Sequence, residues 1–361
     1  MASLRRATLS DVARLAGVSG TTVSYILNGR ADEMRISSQT QQRVREAVDE
    51  LGYRPNRSAR SLRTRTTKTI GVITDFVASG MFASRMLSGA NAAARSLDHV
   101  LVIGETEGDP SVEGLLIDEM IERQVDGLLY VTRTTVRQSA PPGVPEGSLV
   151  MLNCMDPDRD VTAVLPDEGI GGRTAAKAIL ASGVDREVYV AGEDPTPHAM
   201  AGPLRLTGIV ERLAEQRVEL SGVVACEWSV EAAYEALHEW LGAGHRPKAL
   251  VCLNDRIAMG VYQALAEHQL KVPGDVSVVS FDGSELASWL RPRVTSVALP
   301  FEEMGALAVR VLLGAQSPGS SPRLVPMPLV AGESIASALP RRPQVVVPTG
   351  RTSRSLSGPP H

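Results

Sequence analysis

Between Thr69 and Phe281 the chain alternates short apolar runs with longer amphipathic stretches, and this rhythm limits its fold more than any other feature. Buried strands separated by amphipathic helices are the pattern of a parallel βαβ sheet. The pattern predicts strands over residues 70–73, 100–103, 127–131, 148–153, 188–191, 223–227, 249–253 and 276–281. It predicts helices over residues 86–97, 112–123, 171–181, 206–216, 230–241 and 257–268. So many strands suit two doubly wound lobes better than one sheet.

The N-terminal segment has a different pattern, that of a small three-helix bundle. Thr8 and Asp11 have capping-box spacing for a first helix, which Gly17 ends. Ser19 suits the N-cap of a second helix, and Ser38 that of a third. The stretch that follows, residues 54–68, is basic and poor in apolar side chains, which is typical of a hinge rather than a domain.

Charge is divided unevenly between these two patterns. Residues 1–68 hold 13 basic and 6 acidic side chains, whereas residues 69–361 hold 24 basic and 35 acidic ones. A basic head on an acidic body indicates a polyanionic partner for the head. A basic segment with no specific partner would have the same charge.

Composition excludes several classes of protein. With 361 residues, 43% of them hydrophobic and 22% charged, the chain is an ordinary globular protein with at least two cores. Cys154, Cys226 and Cys252 lack the spacing of a redox or zinc motif, so we expect no metal and no cofactor. No apolar run reaches the length of a membrane span, and the N-terminus lacks a secretory signal, which predicts a cytoplasmic protein without membrane contact.

The sequence lacks the common catalytic motifs. It contains no phosphate-binding Gly-x-x-x-x-Gly-Lys loop, no Gly-x-Ser-x-Gly elbow and no His-Glu-x-x-His pair. The glycine-rich stretch 169–172 lacks the full dinucleotide fingerprint and is interpreted as a helix start. We therefore expect a protein that is not an enzyme.

The segment Thr8–Asn28 closely resembles the helix-turn-helix signature of the lactose/galactose repressor family. The resemblance continues through Leu51–Asn56 and Ala59–Leu62 and through the body to about Ser337. It implies an α + α/β architecture, in which a three-helix helix-turn-helix domain and a hinge helix precede a two-lobed, periplasmic-binding-protein-like body of doubly wound parallel sheets. The implied segments are a DNA-binding domain (1–54), a hinge helix and linker (55–68), an effector-binding and dimerisation body (69–337) and a disordered tail (338–361).

The resemblance also implies DNA contacts, because the first turn of such a second helix enters the major groove. The implied base-reading residues are Gly20, Thr21 and Tyr25. The implied phosphate-contacting residues are Thr8, Ser19, Thr22, Ser24, Asn28 and Tyr53. The alternative for each hydroxyl is a role as a helix cap alone.

The hinge supplies a second implied contact with DNA. Asn56, Ala59 and Leu62 match the family's minor-groove residues, and Leu62 is the one that would wedge between base steps. The alternative is that Leu62 packs onto the body.

Six positions in the body match the family's effector-binding residues, and most of them follow predicted strands. They are Asp75, Phe76, Arg205, Trp228, Asn254 and Asp282. The carboxyl ends of parallel strands are where open α/β sheets bind ligands. Such donors and acceptors beside an aromatic ring suit a polyhydroxylated ligand. Arg205 and Asp282 would alternatively form a structural ion pair.

The resemblance thus implies a sequence-specific transcriptional repressor that binds a pseudo-palindromic operator as a homodimer. A small cytoplasmic ligand, a sugar or a related polyhydroxylated metabolite, would control its affinity for the operator. Two other hypotheses are a receptor without a DNA function and an enzyme acting on sugars. The basic head and the missing signal peptide disfavour the first, and the missing catalytic motifs disfavour the second.

Overall fold

The computed structural model describes residues 7–54, 66–76, 84–145, 147–193, 197–317 and 321–336. Its contacts divide the chain into two compact units. One comprises Met1–Thr69 with Gln124–Asp126, and the other comprises Ile70–Arg123 with Gly127–His361. The domain boundaries drawn from the sequence at residues 54 and 337 border residues outside the described ranges and stay predictions.

The described part of the N-terminal unit contains three helices, as the sequence predicts. They are α1 (Leu9–Ala16), α2 (Gly20–Leu27) and α3 (Ser38–Glu50). Apolar side chains at helical spacing meet in one small core, formed by Val12, Ala13, Ala16, Val23, Ile26, Ala31, Val44, Ala47 and Tyr53. Helices this short are marginal alone, so this shared core stabilises them.

The caps of these helices mostly follow the sequence. Thr8 and Asp11 form the predicted capping box, and Gly17 ends α1 in the left-handed conformation. The prediction for α3 was wrong by one residue, because Ser37 and not Ser38 is its N-cap. Ser37 is extended and its hydroxyl accepts a hydrogen bond from the Thr40 amide at 3.3 Å, whereas Ser38 is already helical.

The second unit alternates strands and helices throughout. Its helices are α4 (Ser84–Ser96), α5 (Pro110–Glu122), α6 (Glu168–Leu180), α7 (Ala201–Ala214), α8 (Val230–Gly242), α9 (Asp255–Glu267), α10 (Glu285–Trp289) and α11 (Phe301–Leu312). Its first six strands are β1 (Thr69–Thr74), β2 (Val100–Glu105), β3 (Gly127–Arg137), β4 (Leu149–Met155), β5 (Ala163–Pro166) and β6 (Val188–Ala191). The rest are β7 (Leu220–Val224), β8 (Ala249–Cys252), β9 (Ser277–Asp282), β10 (Thr295–Ala298), β11 (Arg323–Val325) and β12 (Leu329–Val330).

These strands form two six-stranded sheets, one in each lobe. The first lobe has the strand order β11-β5-β4-β3-β1-β2, and the second has β12-β10-β9-β8-β6-β7. Strand β12 runs antiparallel to β10, whereas β10 and β9 are parallel. The chain passes between the lobes after β5, after β10 and after β11. The predicted pair of doubly wound lobes is confirmed.

Several boundaries differ from the sequence-based ones. Strand β3 continues past the predicted end at Val131 to Arg137. Its pairing with β4 shifts register between Val131 and Val136. Helix α7 begins at Ala201, five residues before the predicted start at 206, and β7 begins at Leu220 rather than 223. The elements after Phe281 were not predicted; they include three strands of two to four residues and the twelve-residue helix α11. No helix in the described ranges is long and apolar enough to span a membrane.

Candidate functional site

The start of α2 exposes the side chains that the sequence assigns to base reading. The Ser19 hydroxyl accepts a hydrogen bond from the Thr22 amide at 3.1 Å and lies 2.9 Å from the Thr22 hydroxyl. Thr21 is exposed, and Gly20 is half-buried where an added Cβ would lie 3.0 Å from Leu9 Cδ2. The N-terminal turn of α2 is therefore held by its cap, and Thr21 points away from the core.

Tyr25, the third base-reading candidate, is half-buried and bears a cation on its ring. The Arg30 guanidinium lies 5.5 Å from the ring centroid, and Arg30 Nε donates to Glu33 Oε2 at 2.8 Å. Arg30 and Glu33 lie in the connection between α2 and α3. This connection thus holds the Arg30 guanidinium against the ring of Tyr25.

The remaining phosphate-contact candidates have internal partners. The Thr8 hydroxyl donates to Asp11 Oδ2 at 2.7 Å. Asn28 Nδ2 donates to the Ser24 carbonyl oxygen at 2.7 Å and lies 3.2 Å from its hydroxyl. Tyr53 is 9% exposed and belongs to the core. Their contacts with phosphate stay predictions. The minor-groove contacts predicted for Asn56, Ala59 and Leu62 also stay predictions, because these residues lie outside the described ranges.

In the body, three of the six effector candidates come together, namely Arg205, Trp228 and Asp282. Arg205 lies on α7, while Trp228 follows β7 and Asp282 ends β9. The Arg205 guanidinium carbon is 5.4 Å from the centroid of the Trp228 ring, and its Nη1 is 3.8 Å from Asp282 Oδ1. The ring of Phe281, which the sequence did not single out, is closer at 4.5 Å.

Asn254 lies next to this cluster in the chain, but the preceding residue, Leu253, makes the contact with Arg205. The side-chain oxygen of Asn254 accepts a hydrogen bond from the Ile257 amide at 2.7 Å and so caps α9. The carbonyl oxygen of the preceding Leu253 accepts a hydrogen bond from Arg205 Nη1 at 2.5 Å. The structure therefore gives Asn254 a capping role, and a contact with an effector stays a prediction.

Asp75 and Phe76 form a separate group at the end of β1 in the first lobe. The Asp75 carboxylate accepts hydrogen bonds from the amides of Phe76 at 2.6 Å and Arg133 at 3.0 Å. The Arg133 guanidinium lies 5.3 Å from the centroid of the Phe76 ring. Nearby, the buried hydroxyl of Thr74 has no hydrogen-bond partner among the described residues.

Glu168 is the principal polar residue that the sequence reasoning missed. It begins α6, is fully buried, and accepts hydrogen bonds from Arg205 Nε at 2.6 Å and Nη2 at 3.1 Å. The Thr135 hydroxyl lies 3.1 Å from Glu168 Oε1 and 2.8 Å from Asn153 Oδ1. Since Thr135 and Asn153 are on β3 and β4, Glu168 connects the first lobe to Arg205 in the second.

Asp282 has an unusual protonation equilibrium. Burial raises the pKa of Asp282 to about 7, and the negative charge of Asp255 adds to the rise while Arg205 opposes it. Asp255 itself is held by hydrogen bonds from the Ser284 amide at 2.7 Å and the Ser296 hydroxyl at 2.9 Å. Burial also raises the pKa of Asp255. The pKa of Asp282 is therefore subject to two opposing charges, those of Asp255 and Arg205.

Comparison with known proteins matches both halves of this description. Residues 8–56 match the model for bacterial regulatory proteins of the lacI family, and residues 176–335 match the periplasmic binding protein-like domain. The chain is 33% identical over 317 residues to the ribose operon repressor of Escherichia coli strain K12, an alignment that covers 85% of this chain and 92% of the repressor. The chain belongs to the lacI family of bacterial regulatory proteins.

The chain is also similar to several other proteins. Catabolite control protein A of Priestia megaterium is 29% identical over 313 residues, covering 84% of this chain and 91% of that protein. The crystal structure of the lac repressor dimer bound to operator and the anti-inducer ONPF has a TM-score of 0.76 at 24% identity, covering 92% of this chain and 100% of that one. A complex of the transcriptional regulator CelR with cellobiose has a TM-score of 0.61 at 26% identity, covering 91% of this chain and 100% of that one.

The missed residue Glu168 left a weak trace in the sequence. In this lacI-family chain the pair Asp167 and Glu168 follows the four-residue strand β5, which was not predicted from the sequence. A polar doublet after a strand end is a signal for a site at the sheet edge. Without β5, the glycine-rich stretch 169–172 that follows the doublet was interpreted as a helix start, and the doublet itself was not singled out.

Proposed function

We propose that this lacI-family protein is a repressor that binds a pseudo-palindromic operator as a homodimer, under the control of a small polyhydroxylated effector. One observation carries the proposal: the chain combines a basic head with a two-lobed body. In the head, Ser19 caps α2 and Thr21 is exposed in its first turn. In the body, polar and aromatic side chains cluster at the strand ends. Each part alone fits several proteins. Together they fit a ligand-controlled regulator.

The head would contact DNA through the first turn of α2. Thr21 and Tyr25 would meet base edges in the major groove, while Ser19, Thr22 and the other hydroxyl residues would contact phosphates. Internal hydrogen bonds of Thr8, Ser19 and Asn28 hold these side chains in place before DNA arrives. One such head covers a half-site, so two heads related by a twofold axis read a pseudo-palindrome.

The effector would bind at the strand ends around Arg205, Trp228 and Asp282. The names of two relatives, the ribose operon repressor and the CelR–cellobiose complex, support a sugar or a related polyol. An aromatic ring beside a carboxyl group offers an apolar face and an acceptor for hydroxyl protons. No catalytic step is assigned to this cluster, and action on operator DNA would take place in the cytoplasm.

Control of the operator would follow from a change in the arrangement of the lobes. Three chain crossings connect the lobes, and Glu168 contacts both Thr135 and Arg205. An effector shifts the population of lobe arrangements only if it binds one of them more tightly than the other. The sign of the effect, release or recruitment, depends on which arrangement favours paired hinge segments.

The test is binding to the DNA upstream of the protein's own gene at several salt concentrations, with and without a panel of sugars and nucleosides. We expect protection of a pseudo-palindrome that one compound abolishes or strengthens. Phosphate contacts alone would give weak binding that falls steeply with salt and ignores sequence. That result would contradict the proposal and favour a receptor without a DNA function. Thr21→Ala should lower the affinity for operator but not for unrelated DNA.

A further inference from the structure

We propose that Glu168 is a specificity residue that neutralises Arg205 within the effector site, so that the site accepts an uncharged polyol and rejects anions such as phosphorylated or carboxylated sugars. This inference rests on the proposed function and deepens it, because it names the charge class of the effector and the residue that sets it.

The first step is the commitment of the Arg205 guanidinium. Arg205 is 1% exposed, and both oxygens of the fully buried Glu168 carboxylate accept hydrogen bonds from it, at 2.6 and 3.1 Å. The remaining terminal nitrogen donates to the Leu253 carbonyl oxygen. A bidentate pairing of this kind uses the edge of the guanidinium that would otherwise grip a ligand carboxylate or phosphate.

The second step is the charge that remains. Asp282 Oδ1 lies 3.8 Å from Arg205 Nη1. The side chain of Asp282 is 18% exposed, whereas that of Arg205 is 1% exposed. The rings of Phe281 and Trp228 cover the guanidinium. Two carboxyl groups therefore flank one cation. A ligand at this edge meets an acid before it meets Arg205, and an anion is repelled.

The third step is a donor without a partner. Trp228 Nε1 is buried and has no hydrogen-bond partner among the described residues. A buried donor without a partner destabilises the protein, because it has lost its hydrogen bonds to water. A ligand acceptor that bonds to this donor would remove that penalty. A ligand with several hydroxyl groups can accept a hydrogen bond from Trp228 Nε1 and donate one to the Asp282 carboxyl group. An uncharged polyol is thus the ligand that satisfies both groups without adding negative charge.

The test uses inorganic sulfate as the probe, the full-length protein, and tryptophan fluorescence as the readout. We expect Glu168→Gln to bind sulfate about tenfold or more tightly than the wild type, since it removes the carboxylate that accepts two hydrogen bonds from Arg205 and leaves Asp282, at 3.8 Å, to offset the charge of Arg205. The control is Glu219→Gln, which removes the same charge at an exposed position before β7 and should leave sulfate affinity unchanged. The basic head is identical in all three proteins and contributes equally. Equal affinity of Glu168→Gln and the wild type would overturn the proposal.

A second comparison covers the case in which Glu168→Gln does not fold. The double variant Glu168→Gln with Arg205→Gln replaces the ion pair by two amides of similar shape, so no buried charge is left alone. We expect wild type and double variant to respond equally to sulfate. Tighter binding of sulfate by the wild type would mean that Arg205 already takes anions, and would overturn the proposal. Sulfate reports on charge alone, so either failure is separate from failure of operator binding.

Discussion

Asp282 has a backbone and a charge state that differ from those of an ordinary surface aspartate. Its φ is 101°, in the left-handed region that few residues other than glycine, asparagine and aspartate adopt. Burial raises the pKa of its carboxyl group to about 7. The position at the end of β9 therefore places a carboxyl group that is partly protonated near neutral pH beside Arg205 and Trp228.

The raised pKa of Asp282 predicts how stability depends on pH. Because the folded protein holds this proton more tightly than the unfolded chain, unfolding releases it between about pH 4 and about pH 7, and stability falls as pH rises through that window. The fall should reach up to about 4 kcal/mol. Asp282→Asn should lose this dependence, as measured by urea denaturation at about pH 5 and about pH 8. Asp118→Asn, at an exposed position on α5, is the control, and identical pH profiles for Asp282→Asn and wild type would contradict the prediction.

Helices in this protein pack closely where glycine faces a neighbouring backbone. On α4 and α11 the contact is reciprocal, since a Cβ on Gly89 would overlap the Glu302 carbonyl and a Cβ on Gly305 would overlap the Met86 carbonyl. Helices α6 and α7 make the same kind of contact at Gly172 and Gly208. These approaches fix the distance between helices in each lobe.

Gly305→Ala should therefore destabilise the protein even though alanine favours helices. Its methyl group would push α11 away from α4, and we expect a loss of about 1–3 kcal/mol in the free energy of unfolding. Gly242→Ala is the matched control on α8, where an added Cβ meets nothing within 4 Å, and it should stabilise by about 0.5–1 kcal/mol. Denaturant unfolding of both variants checks the pair. A neutral or stabilising Gly305→Ala would show that the helices can separate at no cost.

The Ser19 cap links the stability of α2 to DNA binding. Ser19→Ala removes the acceptor of the Thr22 amide and should cost about 1 kcal/mol of stability in the N-terminal unit. It should also weaken operator binding, because the first turn of α2 frays. Hydrogen exchange of the α2 amides measures the fraying directly. Ser10→Ala, at an exposed position inside α1, should change neither property. Unchanged exchange in Ser19→Ala would refute the capping role.

At the scale of the whole molecule, the free edge of the first sheet is notable for its apolar side chains. Strand β2 lies at that edge, and Val100, Val102 and Ile103 are 43%, 36% and 44% exposed. The adjoining α5, whose Leu116 packs at Gly104, exposes Leu115 at 68%. An exposed apolar edge strand invites pairing unless something covers it. We infer that this surface is covered in the homodimer.

Ile103→Asp should convert the dimer to a monomer. A charge desolvated in an apolar interface opposes association, so sedimentation should show the monomer mass. Operator affinity should fall as well, because each half-site is then bound separately. Val210→Asp places the same charge on an exposed apolar position of α7, 43% exposed, and should leave the dimer intact. A dimeric Ile103→Asp would place the interface elsewhere.

The local parts of this protein could be predicted from the sequence. Caps such as Thr8 with Asp11, the stop at Gly17 and the βαβ rhythm depend on residues a few positions apart, and the structure confirms them. The family resemblance also implied that Arg205 and Asp282 belong to one site, and the structure places Arg205 Nη1 3.8 Å from Asp282 Oδ1.

Only the tertiary structure decided what surrounds Arg205 and how the last strands are shared between the lobes. Glu168 and Arg205 are 37 positions apart in the chain, and no periodicity connects them. The chain returns to the first lobe for α11 and β11 and then leaves again for β12, a path set by packing and sheet pairing. Short strands such as β12 carry too few residues for a pattern. Local sequence chemistry therefore determined the helices and strands. Tertiary packing, which brings together residues far apart in the chain, decided that the charge of Arg205 is paired with that of Glu168.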